Sequence, residues 1–582
     1  MTKRILIGTI MMCLTIGIMA KTEKTVRLKV VETSDVHGHF FPYNFKENKK
    51  PIKGTLVRVN SYVNQLRKEY GDRLLLIDNG DILQGQPTSY WSNFVATGQE
   101  NIAAQVVNYM KYDCQGIGNH DIETGHQVYD KWIREVRCPS LGANIVSTAT
   151  GQPYVKPYAV FYRDGVKIAV IGMLTPAIPH WLNKPIWEGL EFQEMVSSAK
   201  KWMRHLKEVE QCDLVIGLFH SGQSGGIHTD DYEENASETV AREVPGFDII
   251  FFGHDHLEHN LWVKNCEGRQ VLLLDPSCWA RKVSEAEIEL KYVDGKLVGK
   301  QIEGRNVDVS DMEIDQQMLS AFQPQIDEIS RYCNRVIGSF ASTIYTREGF
   351  FGNSSFTDLI HNLQLKLSNA DISLTAPLSF NSVIQAGPVT VADMFNLYPF
   401  ENLLFVMRMT GKEIHRHLEM SYAIWTNQMK SADDHIMLLN DSTKDDQQRS
   451  GFKWYAFNFD SAAGIDYEVD VTKPEGQKVR ILRMSNGQPF DEKRWYRVVM
   501  NSYRANGGGE LLTQGAGISK DSISSRIISH TDKDQRYYLM KEIERMGTIN
   551  PQPNNNWRFV PEEWTKPALE RDYQYIFGKE KP

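Results

Sequence analysis

Five short segments end in residues able to ligate a metal ion. Asp35 and His37 stand in SDVHGH, Asp81 in NGD, Asn119 and His120 in GNHD, His220 at the end of LVIGLFH, and His254 and His256 in GHDH. Mixed imidazole and carboxylate sets suit zinc, manganese or iron rather than calcium, and two sets sharing one carboxylate hold ions roughly 3.5 to 4 Å apart. Such a pair can bridge a hydroxide and clamp a phosphoryl group, so the chemistry implied is phosphate-ester hydrolysis. Any one of these residues alone reads as a satisfied polar side chain. Their co-occurrence is what packing does not explain.

Strands must position them. VRLKVVETSD, LLLIDNGD, IAVIGMLT, CDLVIGLFHS, FDIIFFGHDH and VLLLDPS are short apolar runs that alternate with helical stretches from 26 to about 283. That pattern predicts an α/β layered domain, whose ligand site lies at the carboxyl ends of its strands. Gly38, Gly80, Gly118 and Gly253 allow sharp turns that aim neighbouring side chains into one cavity. A polar helical pattern over 311–335, with Leu319, Phe322, Ile326 and Ile329 on one face, predicts a connector. A second mixed region follows from 336 to about 559. Residues 441–450 read as a polar surface loop and the stretch from 561 as a polar tail.

With 582 residues the chain exceeds a single core and should divide into domains. Lys3 and Arg4, followed by an apolar run over 5–19 and a small residue at Ala20, match a secretory signal, with a mature start near Lys21. The run is shorter than the roughly 20 apolar residues of a membrane span, so a periplasmic or secreted protein without a stable membrane anchor is expected. Losing Lys3 and Arg4 takes the formal charge from −8 to −10, which argues against long nucleic acid as a ligand. Beyond Cys13 in the leader, Cys114, Cys138, Cys212, Cys266, Cys278 and Cys333 are widely spaced, with no CxxC pair. An oxidising compartment permits disulfides among them, Cys266 with Cys278 being one option, and leaves the pairing open.

In this order, DxH, GD, GNH, a lone His and GHxH resemble the calcineurin-like metallophosphoesterases. The downstream region extends the likeness over nearly the whole mature chain, which resembles the 5'-nucleotidase family of two-domain secreted enzymes, including bacterial 2',3'-cyclic-nucleotide phosphodiesterases. The resemblance implies an α/β fold: a calcineurin-like sandwich of β-sheets flanked by helices, then a mixed α/β C-terminal substrate-binding domain. It divides the chain into a signal at 1–20, a catalytic domain at 21–305, a connecting helix at 306–336, a nucleotide-binding domain at 337–560 and a tail at 561–582. It implies two divalent ions, drawn from Mn, Zn, Fe or Co. Asp35, His37 and His256 would hold the first, Asn119, His220 and His254 the second, and Asp81 would bridge. His120 would donate to the phosphoryl oxygens or leaving group, with Glu123, longer than the family's usual Asp, orienting it. His39 and His126 match no ligand position.

The second domain should choose a small-molecule nucleotide. Phe400 of LYPFEN and Tyr503 of NSYRANGGGE match the aromatic pair that sandwiches the base in the family, a contact worth about 1–3 kcal/mol per base. Two family contacts are replaced: Asn381 ends APLSFN where 5'-nucleotidases carry an arginine, and Gly509 stands where an acid meets the ribose. HLEMS around Glu419, FNFD at 457–460, GIDYEVD and Arg504 resemble the cyclic-phosphodiesterase branch. Phe400, Tyr503, Asn381 and Arg504 are therefore the expected substrate contacts. The expected activity is 2',3'-cyclic-nucleotide 2'-phosphodiesterase/3'-nucleotidase. The alternatives are a 5'-nucleotidase or UDP-sugar hydrolase, and a nucleotide-capturing protein without catalysis, which would be expected to have lost metal positions that are all present here.

Overall fold

A computed structural model describes residues 22–47, 49–440 and 451–578. The stretches read as a secretory signal (1–20) and as a polar surface loop (441–450) lie outside them. In chain order the first domain is built on β1 (Glu23–Thr33), β2 (Leu74–Asp78), β3 (Cys114–Gln115), β4 (Tyr158–Arg163), β5 (Val166–Leu174) and β6 (Leu214–His220). It continues with β7 (Ile249–Phe252), β8 (Glu258–Lys264), β9 (Gln270–Pro276), β10 (Lys282–Val293) and β11 (Lys296–Asp308). One sheet runs β11-β10-β1-β2-β3, and the other β8-β9-β7-β6-β5-β4.

The apolar runs become strands buried on both faces. Early in β1, Val26 and Leu28 point inward while Arg27 stays exposed; from Leu28 to Thr33 every residue is buried, as is all of β6. Leu28, Val30, Leu75 and Ile77 of one sheet meet Ile168, Leu214, Ile216, Ile249 and Leu272 of the other in a shared core. Each such side chain contributes about 1.5–3 kcal/mol by leaving water, which makes the sandwich a firm platform. The outer faces are closed by helices, Leu56–Tyr70 and Ile102–Met110 on the first sheet and Met195–His205 and Ser237–Glu243 on the second. β1 runs parallel to β2, β2 to β3, and β6 to both β5 and β7. The carboxyl ends of these strands, with their candidate ligands, therefore emerge along one edge of the sandwich.

The connector is two helices, Gln316–Ala321 and Gln323–Cys333, rather than one. Pro324, in the first turn of the second, has no N–H to continue the helix. Met318, Phe322, Ile326, Ile329 and Cys333 bury against the first domain, with Met318 and not Leu319 as the deep member of the first turn. The second domain centres on a mixed sheet of β12 (Ile372–Thr375), β13 (Leu404–Thr410), β14 (Ser461–Ala463), β15 (Trp495–Asn501) and β16 (Ile527–His530), ordered β14-β12-β15-β13-β16.

The C-terminal stretch also departs from expectation, and the cysteine pairing left open is settled among the described residues. The stretch read as a tail forms the helix Glu562–Phe577, which buries Ala568 and Tyr573 in the second-domain core. Asp572 on its buried face accepts the backbone N–H groups of Ile436 and Met437, each at 2.8 Å. The helix hid in the sequence because two of its four buried residues, Thr565 and Asp572, are polar. All six cysteines of the described residues are free thiols, so Cys266 and Cys278 form no disulfide. Among the described residues, no helix is long and apolar enough to cross a membrane.

Candidate active site

The candidate ligands converge because their loops turn sharply just past the strands. Asp35, His37, Asp81, His254 and His256 all have left-handed backbone, with φ between 49° and 87°. Asp and His tolerate this region better than most residues, at a cost of about 1–3 kcal/mol each. Hydrogen bonds hold the turns in place. Asp35 N–H donates to Gly80 O (3.1 Å) and His37 N–H to Asp81 O (2.8 Å). The buried carboxylate of Asp121 accepts from the backbone N–H groups of Gly118, Asp81, Ile82 and Leu83 at 2.8–2.9 Å. The GNHD loop is thereby tied to the NGD loop.

Glycine at two of these turns is demanded by space. A Cβ on Gly118 would lie 2.1 Å from Asp81 Oδ1, and one on Gly253 would lie 2.0 Å from Ser34 Oγ and 2.4 Å from Asp35 Oδ2. Gly38 and Gly80 do adopt positive φ.

The side chains form two adjoining groups. In one, His37 Nε2 and His256 Nε2 are 3.0 Å apart, and His256 Nε2 is 3.3 Å from Asp35 Oδ1. In the other, Asn119 Oδ1 lies 3.1 Å from His220 Nε2 and 2.8 Å from His254 Nδ1. Asp81 Oδ2 sits between them, 3.2 Å from His220 Nε2 and 3.9 Å from His37 Nε2. Donors bonded at about 2.0–2.1 Å to one ion are separated by about 2.8–3.4 Å at octahedral or tetrahedral angles, and most of these separations fall in that interval. Asp35 Oδ1 is buried, has no hydrogen-bond donor, and faces three imidazole nitrogens. That orphaned oxygen, among nitrogen and oxygen donors, fits divalent cations.

Electrostatics point the same way. Burial opposes the charge of Asp35 and Asp81, but the imidazoles around them, His220 first, hold both carboxyls well below their usual range. Burial likewise works against the His220 imidazolium, and Asp81 and Asp35 outweigh it, raising its pKa to about 9. The pull of Asp81 and Asp35 on the His220 imidazole is the attraction that a bound cation would meet in its place. Two of the remaining nitrogens are already committed: His220 Nδ1–H donates to Asn79 O (2.8 Å), and His254 Nε2 meets Glu234 Oε1 at 3.0 Å.

His120 stands beside the cluster. Its Nδ1 is 2.5 Å from Glu123 Oε2, and its backbone N–H donates to Asp81 Oδ1 at 2.8 Å. Burial pulls its pKa down, while Asp81 and Glu123 together push it up to about 9. With Nδ1 held by Glu123, Nε2 remains to meet a ligand. His39 and His126 are satisfied elsewhere, His39 by Gly54 O and Gln86, and His126 by Asp130 and Glu188 O.

The cluster opens into a cavity of about 1160 Å³ between the domains. Asn119, His120 and His254 of the first domain and Phe400, Phe457 and Tyr503 of the second all line it. Tyr503 packs edge-on against Phe457, with centroids 5.8 Å apart, and its ring occupies the space that a Cβ on Gly508 would take. The glycine run therefore makes room for the tyrosine.

Two expected substrate contacts are not at the cavity. Arg504 is buried and its donors are consumed: Nε and Nη2 grip Asp460 at 2.8 and 3.1 Å, Nη2 also reaches Phe457 O, and Nη1 bonds Gly508 O. It braces the Tyr503 loop from behind. Asn381 is exposed away from the cavity and accepts from Arg347 Nη1 at 3.0 Å. Asp121, Asn79, Glu234 and Phe457 are site residues that the sequence reading did not assign.

Residues 28–258 match the calcineurin-like phosphoesterase model, and residues 336–514 match the 5'-nucleotidase C-terminal domain. The chain belongs to the two-domain metallophosphoesterases of the 5'-nucleotidase family. It is 24% identical to a 2',3'-cyclic-nucleotide 2'-phosphodiesterase/3'-nucleotidase of Haemophilus influenzae, over 93% of this chain and 89% of the relative. It is likewise 24% identical to protein UshA of Escherichia coli, over 84% of this chain and 86% of that protein. The crystal structure of a 5'-nucleotidase precursor from Thermus thermophilus shares the fold, with a TM-score of 0.59 at 21% identity over 92% of this chain and 100% of that one.

The close approach at Gly253 yields a test. Gly253→Ala should lower the metal bound per chain and turnover together, because its Cβ would collide with Ser34 and Asp35. Gly98→Ala, where a Cβ meets nothing within 4 Å, should leave both unchanged. Wild-type metal content in Gly253→Ala would show that the loop yields freely.

Proposed function

We propose that the chain hydrolyses nucleotide phosphate esters, turning over 2',3'-cyclic and 3'-phosphates ahead of 5'-monophosphates. The observation that carries this is one cavity lined by the candidate donors Asn119 and His254, by His120, and by Phe400 and Tyr503. In this reading Asp35, His37 and His256 would hold one divalent ion and Asn119, His220 and His254 a second, with Asp81 shared between them. Manganese, zinc, iron or cobalt suits these donors. When bound, such ions polarise phosphoryl oxygens and lower the pKa of water.

The protein's own groups do the rest. Glu123 fixes the His120 ring through Nδ1, and protonated His120 donates from Nε2 to an oxygen that gains charge in the transition state. Trp181 and the two domain faces narrow the cavity around the reacting group. Phe400 and Tyr503 stack the base, and Phe457 buttresses Tyr503. The preference over 5'-monophosphates rests on Gly509, which brings no carboxylate to the sugar. The relative from Haemophilus influenzae bears the name of the same activity. The leader-like first twenty residues support a periplasmic or secreted setting.

His120→Ala should lower turnover about 10² to 10³-fold, the scale of one lost transition-state donor, with metal content unchanged. Loss of an ion in that variant would make His120 a ligand instead. In a panel of nucleotides, kcat/KM for 2',3'-cyclic AMP should exceed that for 5'-AMP. Tyr503→Ala should weaken every nucleotide while sparing an aryl phosphate, which has no base to stack. A preference for 5'-AMP would overturn the assigned substrate and leave the metal chemistry standing, and equal losses on aryl phosphate would make the ring structural.

A further inference from the structure

A second group of metal-competent side chains lies behind the GHDH loop. Asp255 stands between His254 and His256, and His259 on β8 is the direct cross-strand partner of Asp275 on β9. Ligand atoms of Asp255, His259 and Asp275 all lie within 4.8 Å of one another. His259 Nε2 is 3.3 Å from Asp255 Oδ2, close to the spacing of two donors at a tetrahedral angle about an ion bonded at about 2.0–2.1 Å. The His259 ring is held in plane by stacking on Phe252, with centroids 5.4 Å apart.

Asp275 is the independent sign that something is bound here. It is fully buried; Oδ1 accepts from Ser277 N–H at 2.7 Å, and Oδ2 has no hydrogen-bond partner. His259 Nε2 is likewise buried without one. After burial itself, the strongest influences on the Asp275 carboxyl are Asp255, Asp35 and Glu32, all acidic. A buried carboxylate facing other carboxylates needs a cation or a proton.

We propose that Asp255, His259 and Asp275 hold a third divalent cation, of the first-row class that zinc and manganese represent, outside the phosphoesterase centre. Two carboxylates and a neutral imidazole cancel its charge and leave a position for water. Both Asp255 oxygens also accept backbone N–H groups, from Leu257 at 2.8 Å and Gln223 at 3.1 Å. The carboxylate is thereby aimed as the outer hydrogen bonds of a metal site require. The role of the ion is positional. Asp255 separates one candidate ligand of each catalytic ion, so clamping it steadies the loop on which His254 and His256 hold left-handed backbone.

The test counts ions. Wild type, His259→Gln and Asp275→Asn are stripped with chelator, reloaded with excess zinc or manganese, desalted and assayed for metal per chain, with circular dichroism reporting the fold. Wild type should saturate at three ions, and each folded variant should carry one fewer. A His37→Gln variant should keep the ion that His259→Gln loses, which separates this site from the catalytic centre. A wild-type plateau at two or fewer would overturn the proposal whatever the variants do. Folded variants binding as much metal as wild type would do the same, and would assign a proton to Asp275.

Discussion

Two fully buried carboxylates, Asp35 and Asp81, lie together with no lysine or arginine paired to either among the described residues. Uncompensated, such a pair would cost several kcal/mol per charge. The structure surrounds them instead with four imidazoles, an amide oxygen and a cavity open to ligand. Every neighbouring feature follows from bringing those donors within about 3 Å of one another. The loops must turn at once past the strands, and the loops of two different sheets must meet.

That convergence is expensive. Five non-glycine residues in left-handed backbone at about 1–3 kcal/mol each sum to the order of a domain's whole net stability, about 5–15 kcal/mol. The turns persist because other contacts over-determine them. Asp121 collects four backbone N–H groups from two loops. Asp78 accepts from Thr33 Oγ1 at 2.6 Å and from Gly80 N–H at 3.0 Å, and the Asn79 amide donates to Phe219 O at 3.0 Å, tying the two sheets together under the site. The sandwich core beneath supplies the stiffness. Across the cavity, Asn506 Nδ2 donates to Trp181 O at 2.9 Å and the Arg536 guanidinium lies 4.9 Å from the Tyr90 ring. These contacts set the aromatic wall opposite the donor cluster.

The donor cluster was legible in the sequence because most of its members sit at the end of an apolar run or just past it, where a strand end and a nearby glycine announce them. The strands themselves were legible for the same reason: burial on both faces leaves no alternation to misread. What stayed hidden was direction and partnership. Asp121 lies inside GNHD, yet nothing in its spacing says that its carboxylate binds backbone rather than metal. Glu234 reaches His254 from the short polar hairpin of Gly225–His228 and Glu233–Asn235, which carries no periodic signal. Arg504 looked like a ligand contact because it follows Tyr503, but helical geometry at Ser502–Ala505 turns it inward onto Asp460. The C-terminal helix was obscured by its polar buried residues, and Asn381 by a likeness of sequence position that the fold does not carry to the cavity.

The buried carboxylates are built to receive cations, and the most direct measurement removes them. Protein stripped by chelation should show no turnover of an aryl phosphate ester, and adding manganese or zinc should restore it as the ions bind. Full turnover by metal-free protein would contradict the role given to Asp35, Asp81 and the imidazoles around them.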